Sequence, residues 1–268
     1  DRLQVNKDLS RAVVSFQANK AEPIYRWFKY REGFSRQLID YCLNSLGASP
    51  GSTLLDPFAG TGASAFVAAQ RGINAIAVEL LPVGCFFMKT RQALMNLPKD
   101  VLFNHVKCAL TEAAWREAEP SWTFPHLTIT RGAFSLETEE AISKFKTWRT
   151  TLDPDFAVLM DFVLFSILEE ISFTRKDGQY LRWDSRSPRT KIKSQFNKGP
   201  IYSFEDAINR KLQHIYDDLA SFSDDQEMFP GPAVQHAGEI TVLQGSVLDR
   251  IYDVPDGSVD YVLTSPPY

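Results

Sequence analysis

Two short motifs carry residue types suited to ligand binding. The first is Asp-Pro-Phe-Ala-Gly-Thr-Gly at residues 56–62, which follows a short apolar run and precedes an alanine-rich segment. Glycines lack a Cβ and adopt positive φ, so the turn can approach a ligand closely, and the helix behind it offers free N–H groups. Many α/β proteins use such a turn only to close a helix onto a strand. The whole motif predicts a ligand site formed by Asp56, Pro57, Phe58, Ala59, Gly60, Thr61 and Gly62.

The second motif is Thr-Ser-Pro-Pro-Tyr at residues 264–268, again after an apolar run. Two consecutive prolines fix φ and remove two backbone donors, so the backbone of these two residues can only accept hydrogen bonds. The serine adds a hydroxyl acceptor, and the tyrosine adds an aromatic face for a planar base. A lone Pro-Pro-Tyr is also typical of a turn or a proline-rich ligand motif. After an apolar strand, the motif predicts catalytic residues Ser265, Pro266, Pro267 and Tyr268.

Two acidic side chains follow further apolar runs. Glu79 ends the run at 74–79, where a carboxylate can accept hydrogen bonds from both hydroxyls of a ribose. A solvated carboxylate at a strand end is the alternative. Asp249, with Ser246 nearby, ends a third run and could bind the amino group of an adenine. An ordinary turn aspartate is the alternative there.

The apolar pattern predicts an α/β fold with a parallel sheet. Helix 33–46, strand 51–56, helix 63–70, strand 74–79 and helix 82–94 alternate along the chain. The alternation stops at residue 96 and resumes with strands 240–244 and 259–264. Between them lie predicted helices at 105–118, 137–149, 155–171 and 203–222, around a polar, basic stretch at 174–200. We therefore predict a core of residues 20–95 and 240–268, carrying a mainly helical insertion at 96–239.

Taken together, Asp-Pro-Phe-Ala-Gly-Thr-Gly, Val-Glu-Leu at 78–80 and Thr-Ser-Pro-Pro-Tyr closely resemble a known enzyme family. It comprises the amino-methyltransferases that modify N6 of adenine or N4 of cytosine in DNA, whose motifs have the forms DPFxGxG and (D/N/S)PP(Y/F). The resemblance implies a class I S-adenosylmethionine-dependent methyltransferase with a Rossmann-like sheet. It assigns the residues of 56–62 and Leu80 to the cofactor, Glu79 to its ribose, and Ser265, Pro266 and Tyr268 to a flipped-out base.

The segment Tyr-Arg-Trp-Phe-Lys-Tyr at 25–30, with the Phe-Ser pair at 34–35, is similar to the family's methionine-contacting motif. This similarity adds Tyr30, Phe34 and Ser35 to the expected cofactor site. A serine before Pro-Pro-Tyr favours cytosine N4, since adenine N6 enzymes more often have Asp or Asn there; both bases remain open. RNA or protein amino-methylation and a non-catalytic DNA-binding subunit are the other functions compatible with the motifs.

Residues 175–198 contain eight basic side chains and two acidic ones, a net charge of +6 in a chain whose formal charge is −4. Tyr180, Trp183 and Phe196 are interleaved with them. Cations with aromatic faces are typical of phosphate and base contacts, so we expect double-stranded DNA as a partner. A solvated basic loop is the alternative. The candidate DNA-binding residues are Arg175, Lys176, Arg182, Trp183, Arg186 and Arg189.

Composition limits the remaining possibilities. The chain is 44% hydrophobic and 23% charged, as in globular proteins, and its longest apolar stretch, at 156–168, is too short to cross a bilayer. Three scattered cysteines and four histidines lack metal-ligand spacing, so no metal is expected. We expect a cytoplasmic protein without membrane contact. Because the family's sheet continues beyond the catalytic motif, we also expect its C-terminal strands to come from further residues or from a second polypeptide.

Overall fold

The computed structural model describes residues 9–10, 13, 25–27, 35–177, 180–189, 195–221 and 237–265. The chain forms two compact units. The first unit comprises Asp1–Met95 and Phe222–Tyr268, and the second unit comprises Asn96–Ser221. Among the predicted site residues, Tyr30, Phe34, Pro266, Pro267 and Tyr268 lie outside the described residues.

The helices are α1 Arg36–Ser45, α2 Ala63–Gln70, α3 Pro82–Met95, α4 Lys99–Glu112, α5 Leu136–Arg149, α6 Pro154–Ile171, α7 Phe204–Ser221 and α8 Val247–Arg250. The strands are β1 Thr53–Asp56, β2 Asn74–Glu79, β3 Thr174–Asp177, β4 Tyr180–Trp183, β5 Ile240–Gln244 and β6 Tyr261–Val262. Helix α2 and strands β2 and β5 have the bounds that the apolar pattern predicts.

The first unit contains a parallel sheet in the order β5-β2-β1-β6. Counted along this sheet alone, the strands follow the order 3-2-1-4 of a doubly wound sheet. The direction of winding reverses between β1 and β6. In such sheets ligands bind beyond the carboxyl ends of the strands at this reversal. The predicted α/β class with a parallel sheet is therefore confirmed, and its order identifies where a ligand site belongs.

The core of the first unit lies between the sheet and its helices. Leu54 on β1 and Ala77 on β2 are fully buried against Phe66 on α2 and Met88 on α3. Burying a side chain such as Leu or Phe stabilises the fold by about 1.5–3 kcal/mol. Nearly every residue of α2 is buried, and its alanines allow the helix to lie close to the sheet. This packing fixes the turn that connects β1 to α2.

The second unit is mainly helical and contains a two-stranded antiparallel hairpin, β3–β4. Helix α7 packs against both α4 and α6. Trp115, Phe145 and Phe204 form an edge-to-face aromatic cluster in its core. Ser135 and Asp153 cap the N-termini of α5 and α6 by accepting hydrogen bonds from backbone N–H groups. The second unit thus has a core of its own.

Three elements differ from the sequence prediction. The polar, basic stretch at 174–200, in which the sequence predicted no strand, contains the β3–β4 hairpin. The helix predicted at 105–118 is α4 followed by a 3-10 turn at Ala114–Glu117, because Ala113 takes a left-handed conformation with φ 45°. The strand predicted at 259–264 is reduced to Tyr261–Val262. No helix within the described ranges combines the length and apolarity needed to cross a membrane.

Candidate active site

Asp56, the last residue of β1, is a buried hydrogen-bond acceptor at the centre of the site. Its carboxylate accepts from the Phe58 N–H at 3.1 Å and from the Ser64 hydroxyl on α2. Burial raises the pKa of Asp56, while these hydrogen bonds and the nearby Thr264 hydroxyl lower it less strongly. Asp56 therefore secures both ends of the turn that follows it.

The turn at 57–62 runs across the carboxyl end of β2. The Ala59 N–H donates to the carbonyl of Val78 at 2.9 Å, and the Gly62 N–H donates to that of Ala59 at 2.8 Å. Gly60 and Gly62 have φ of 57° and 81°, which side chains rarely adopt. No side chain caps α2 at Gly62, so the first backbone N–H groups of this helix lack a capping side chain. Such a turn can receive an anionic or polar ligand group.

Glu79 at the end of β2 holds the same turn from the neighbouring strand. Its carboxylate accepts from the Gly60 N–H at 2.7 Å and from the Leu81 N–H at 2.7 Å, and the side chain is buried. The sequence prediction assigned Glu79 to a ligand and missed this structural contact. The free acceptor sites of the two oxygens remain available to a ligand. The sequence carries no signal for this contact, because it does not reveal which backbone N–H groups the Glu79 side chain reaches.

Ser246 and Asp249 lie beside Glu79, beyond the end of β5. The Gly245 N–H donates to the Glu79 carbonyl at 2.9 Å, and Ser246 caps the short helix α8 by accepting from the Leu248 N–H at 3.2 Å. The sequence had placed the two residues at the end of a strand, whereas in the structure they belong to a helical turn. Asp249 is exposed.

Large apolar side chains are exposed at this edge of the sheet. Phe58 is 42% exposed and Leu80 is 63% exposed, and Leu81 and Val83 are exposed as well. These side chains lie next to the buried carboxylates of Asp56 and Glu79 in the chain. An exposed apolar patch bordered by a few fixed polar groups is typical of a small-molecule site.

The second motif begins directly beside Asp56. Strand β6 pairs with β1, and the Leu263 N–H donates to the Leu55 carbonyl at 3.1 Å, so Thr264 and Ser265 follow at the carboxyl edge. The Thr264 Oγ1 is buried beside the Asp56 carboxylate and lowers the pKa of that group. The two motifs thus flank the reversal of winding between β1 and β6.

Ser35 is the described residue of the upstream motif. It is buried and caps α1, accepting from the Leu38 N–H at 3.0 Å and donating to the carbonyl of Val13. Its side chain therefore stabilises the N-terminus of α1. Tyr30 and Phe34 lie outside the described residues.

The chain is similar over its whole length to Type II methyltransferases. It is 34% identical over 268 residues to the Type II methyltransferase M.AvaI of Nostoc sp. and to that of Anabaena variabilis. It is 33% identical over 286 residues to the Type II methyltransferase M.BsoBI of Geobacillus stearothermophilus. These alignments cover 99–100% of this chain and 53–55% of the relatives, so the chain spans about half the length of the curated relatives it matches. No protein-family model and no solved structure matches the chain significantly.

The similarity to the relatives extends through the second unit, where the candidate DNA-binding residues lie. Arg175 and Arg182 are directly paired across the hairpin, and both guanidinium groups lie over the Phe196 ring, at 4.9 and 4.1 Å from its centroid. Arg182 also forms an ion pair with Asp177 at 3.1 Å. Lys176 is exposed on the same hairpin. The hairpin thus presents cations whose positions are fixed by an aromatic ring.

Arg186 has a structural role that the sequence did not reveal. Its guanidinium makes two hydrogen bonds, of 2.6 and 2.8 Å, with the fully buried Asp184, and a third of 2.7 Å with the Gly199 carbonyl. This pairing, together with the backbone N–H of Lys198, holds the pKa of Asp184 well below its usual range. Arg189 lies 4.6 Å from the Trp183 ring and donates to the Ile129 carbonyl at 3.1 Å. Both arginines therefore also stabilise the loop after β4.

Proposed function

We propose that this chain binds S-adenosylmethionine and methylates the exocyclic amino group of cytosine, N4, in DNA. The proposal rests on one observation, which is that the two motifs lie next to each other. Asp56 of the first and Thr264 of the second lie side by side at the carboxyl edge, where the winding of a 3-2-1-4 sheet reverses. Similarity to Type II methyltransferases supports the reaction class. We assign the sheet to the class I methyltransferase fold on the same grounds.

The residues at this edge fit S-adenosylmethionine. The uncapped backbone N–H groups at the start of α2 suit its carboxylate, and the acceptor sites of Glu79 suit the ribose hydroxyls. Phe58 and Leu80 offer exposed apolar surface for the adenine, beside Ser246 and Asp249. When bound, the cofactor supplies a methyl group activated by a positively charged sulfur.

The chemistry of the target follows from the second motif. An exocyclic amine is a poor nucleophile because its lone pair is delocalised into the ring. Acceptors at Ser265 and at the Pro266 carbonyl would favour a pyramidal nitrogen whose lone pair points at the methyl group, and Tyr268 would stack on the base. The base must first leave the duplex. Catalysis then consists of positioning and electrostatic stabilisation, without a covalent enzyme intermediate.

The test is a methylation assay with methyl-labelled S-adenosylmethionine and unmethylated bacterial genomic DNA, read by nucleoside mass spectrometry. We expect N4-methylcytosine from the wild type and a loss of at least about 100-fold in Ser265→Ala, since removing one stabilising contact of this kind costs roughly that much. Ser45→Ala, on the exposed end of α1, is the matched control and should retain full activity. Labelled N6-methyladenine would identify adenine as the target base. Label in added tRNA or protein would identify a substrate class other than DNA.

DNA contact by the second unit is part of the same proposal. Arg175, Lys176, Arg182, Trp183, Arg186 and Arg189 would contact the duplex. Arg182 is the sharpest test, because its side chain is 47% exposed and its partner Asp177 is also exposed. We expect Arg182→Ala to weaken DNA binding and reduce the slope of log affinity against log salt by about one. Arg186 is unsuitable for this test because its replacement would strand the buried Asp184 carboxylate.

A further inference from the structure

A second concave site lies wholly within the second unit. It is an open cavity of about 1020 Å³ between the segment 126–139 and the loop 186–189, with Phe173 also in its wall. Its volume falls at the upper end of the range for small-molecule sites. None of its lining residues belongs to the carboxyl-edge site, while Arg186 and Arg189 are among the residues proposed above to contact the duplex.

The wall of this cavity is cationic. The guanidinium groups of Arg131, Arg186 and Arg189 line it, against the single carboxylate of Glu139. Arg186 is fixed by Asp184, and Arg189 by the Ile129 carbonyl. Arg131 makes no side-chain hydrogen bond or ion pair with any residue the structure describes, and its side chain is exposed. Fixed guanidinium groups beside an unpaired one are suited to binding a phosphate.

The same wall carries aromatic and hydrogen-bonding groups. Phe134 lines the cavity and is supported by Phe124, with ring centroids 5.5 Å apart. His126 Nε2 lies 3.2 Å from a carboxylate oxygen of Glu139, and both side chains line the cavity. This pair can offer a donor and an acceptor to the edge of a base. A phosphate, a planar ring and a polar ring edge occur together in a nucleotide.

We infer that this cavity binds one nucleotide of the DNA substrate, with its phosphate on Arg131 and its base against Phe134. The inference rests on the proposed function and extends the DNA contact from the loop 186–189 to the segment 126–139, which lies outside the basic stretch 175–198. An inorganic anion alone would leave the aromatic surface unused, and an apolar ligand would leave the guanidinium groups unpaired.

The experiment is photo-crosslinking of the full 268-residue chain to a pool of random duplex DNA containing 5-iododeoxyuridine, followed by peptide mapping. Affinity for the same pool is measured in parallel at several salt concentrations. Arg131→Ala removes the phosphate contact, and Arg131→Lys keeps the charge without the planar fork. Lys107→Ala on α4 removes one exposed positive charge from the same unit outside the cavity and is the matched control.

We expect crosslinks to peptides containing residues 126–139 or Phe173. We also expect Arg131→Ala to lower DNA affinity about 10-fold and the salt slope by about one, with Arg131→Lys between it and the wild type. Lys107→Ala should change neither. The inference would be overturned by crosslinks confined to other segments, or by equal DNA affinities and salt slopes in Arg131→Ala and Lys107→Ala. Displacement of the DNA by polyglutamate at equal charge would overturn it as well.

The methylation assay separates this result from the proposed function. DNA crosslinked in the cavity without methyl transfer would support the cavity and contradict the proposed activity. If Arg131→Ala methylated the same DNA sequences as the wild type, the result would support the proposed activity and contradict nucleotide binding in the cavity.

Discussion

At the scale of single residues, the carboxyl-edge site depends on two buried carboxylates that have different tasks. Glu79 accepts two backbone hydrogen bonds that join the glycine turn to β2, and Asp56 holds that turn to β1 and α2. Neither carboxylate forms an ion pair among the described residues, so backbone N–H and hydroxyl groups provide their stabilisation. Replacing either one should therefore disturb the geometry of the turn before it disturbs the rest of the fold.

Glu79→Gln tests this directly. A glutamine has one acceptor oxygen, so one of the N–H groups of Gly60 and Leu81 would lose its partner. Charged hydrogen bonds contribute about 1.5–3 kcal/mol, so we expect affinity for S-adenosylmethionine, measured by calorimetry, to fall about 10- to 100-fold. Glu239→Gln, an exposed change just before β5, should leave that affinity unchanged. Equal affinities in Glu79→Gln and wild type would mean that neither the turn nor the ribose requires the carboxylate.

Asp56→Asn should have an effect on stability that depends on pH. Burial raises the pKa of Asp56 in the folded protein, so folding disfavours its ionised form. The wild type should therefore lose stability relative to Asp56→Asn as pH rises from below the usual aspartate range through the raised pKa. Unfolding of the two proteins by urea from pH 3 to pH 7 measures the difference. A free energy of unfolding of the wild type that stays constant or rises with pH, relative to that of Asp56→Asn, would contradict the assignment.

At the scale of elements, close approach of α3 to the glycine turn determines the shape of the site. A Cβ added to Gly84 would lie 2.4 Å from the Gly60 carbonyl oxygen and 2.7 Å from Glu79 Cγ. Both neighbours belong to the turn or to its support, and the carbonyl cannot move away as a flexible side chain can. Gly84 is thus required by packing and not by backbone conformation.

Gly84→Ala should therefore destabilise the first unit by about 1–3 kcal/mol and weaken S-adenosylmethionine binding. Gly51→Ala provides the contrast, since Gly51 has φ 86° but nothing within 4 Å of an added Cβ. Its backbone strain should cost about 1–2 kcal/mol without changing cofactor affinity. Denaturant unfolding and calorimetric titration of both variants measure the two quantities. Unchanged cofactor affinity in Gly84→Ala would argue against this role of α3.

The loop after β4 depends on Asp184. Because the pKa of Asp184 is lowered, its ionised form stabilises the folded state above the usual aspartate pKa, and this stabilisation is lost as the solution becomes acidic. We expect Asp184→Ala to cost about 2–3 kcal/mol at neutral pH, near the lower limit for a buried pair, since Arg186 is 45% exposed. Asp177→Ala, which breaks an exposed pair with Arg182, should cost less than about 1 kcal/mol. Denaturant unfolding at pH 7 and below pH 4 distinguishes the two.

Local periodicity predicted the elements of the first unit well and those of the hairpin poorly. Helix α2 and strands β2 and β5 are continuous apolar runs bounded by Gly or acidic residues, so their ends are visible in the sequence. In the hairpin, β3 and β4 are mostly charged or exposed, and no apolar alternation indicates strands. Their pairing is stabilised by Phe196, which lies beyond the loop that follows β4.

The predicted site residues show the same division. Asp56 and Glu79 end their strands, and Thr264, which begins the second motif, follows β6. Parallel strands bring their carboxyl ends to one edge, so the proximity of these positions was predictable. The partners of Glu79 and Arg186 were not predictable, because a single sequence does not reveal which backbone groups a long side chain reaches. The cavity in the second unit likewise arises from segments that carry no motif.

At the scale of the whole molecule, two units with separate cores should respond separately to the cofactor. A ligand present at 100 times its Kd stabilises the unit that binds it by about 2.7 kcal/mol. Calorimetry with S-adenosylmethionine should therefore show two transitions, of which one moves to higher temperature. Four of the five tryptophans, at positions 115, 122, 148 and 183, belong to the second unit. Tryptophan fluorescence should accordingly report mainly the transition that does not move.

A single transition, or an equal shift of both signals, would show that the units unfold together. S-adenosylhomocysteine provides a control ligand without a transferable methyl group, and we expect it to move the same transition.

The position of Asp56 between the two motifs also has a consequence for how the two proposed ligands affect each other's binding. Its carboxylate supports the glycine turn and lies against Thr264, at the start of the segment assigned to the base. Any ligand that fixes this carboxylate alters the surroundings of both motifs, so we expect the affinities for the proposed cofactor and the proposed target base to be thermodynamically coupled. Such coupling is reciprocal: the factor by which bound cofactor tightens DNA binding equals the factor by which DNA tightens cofactor binding.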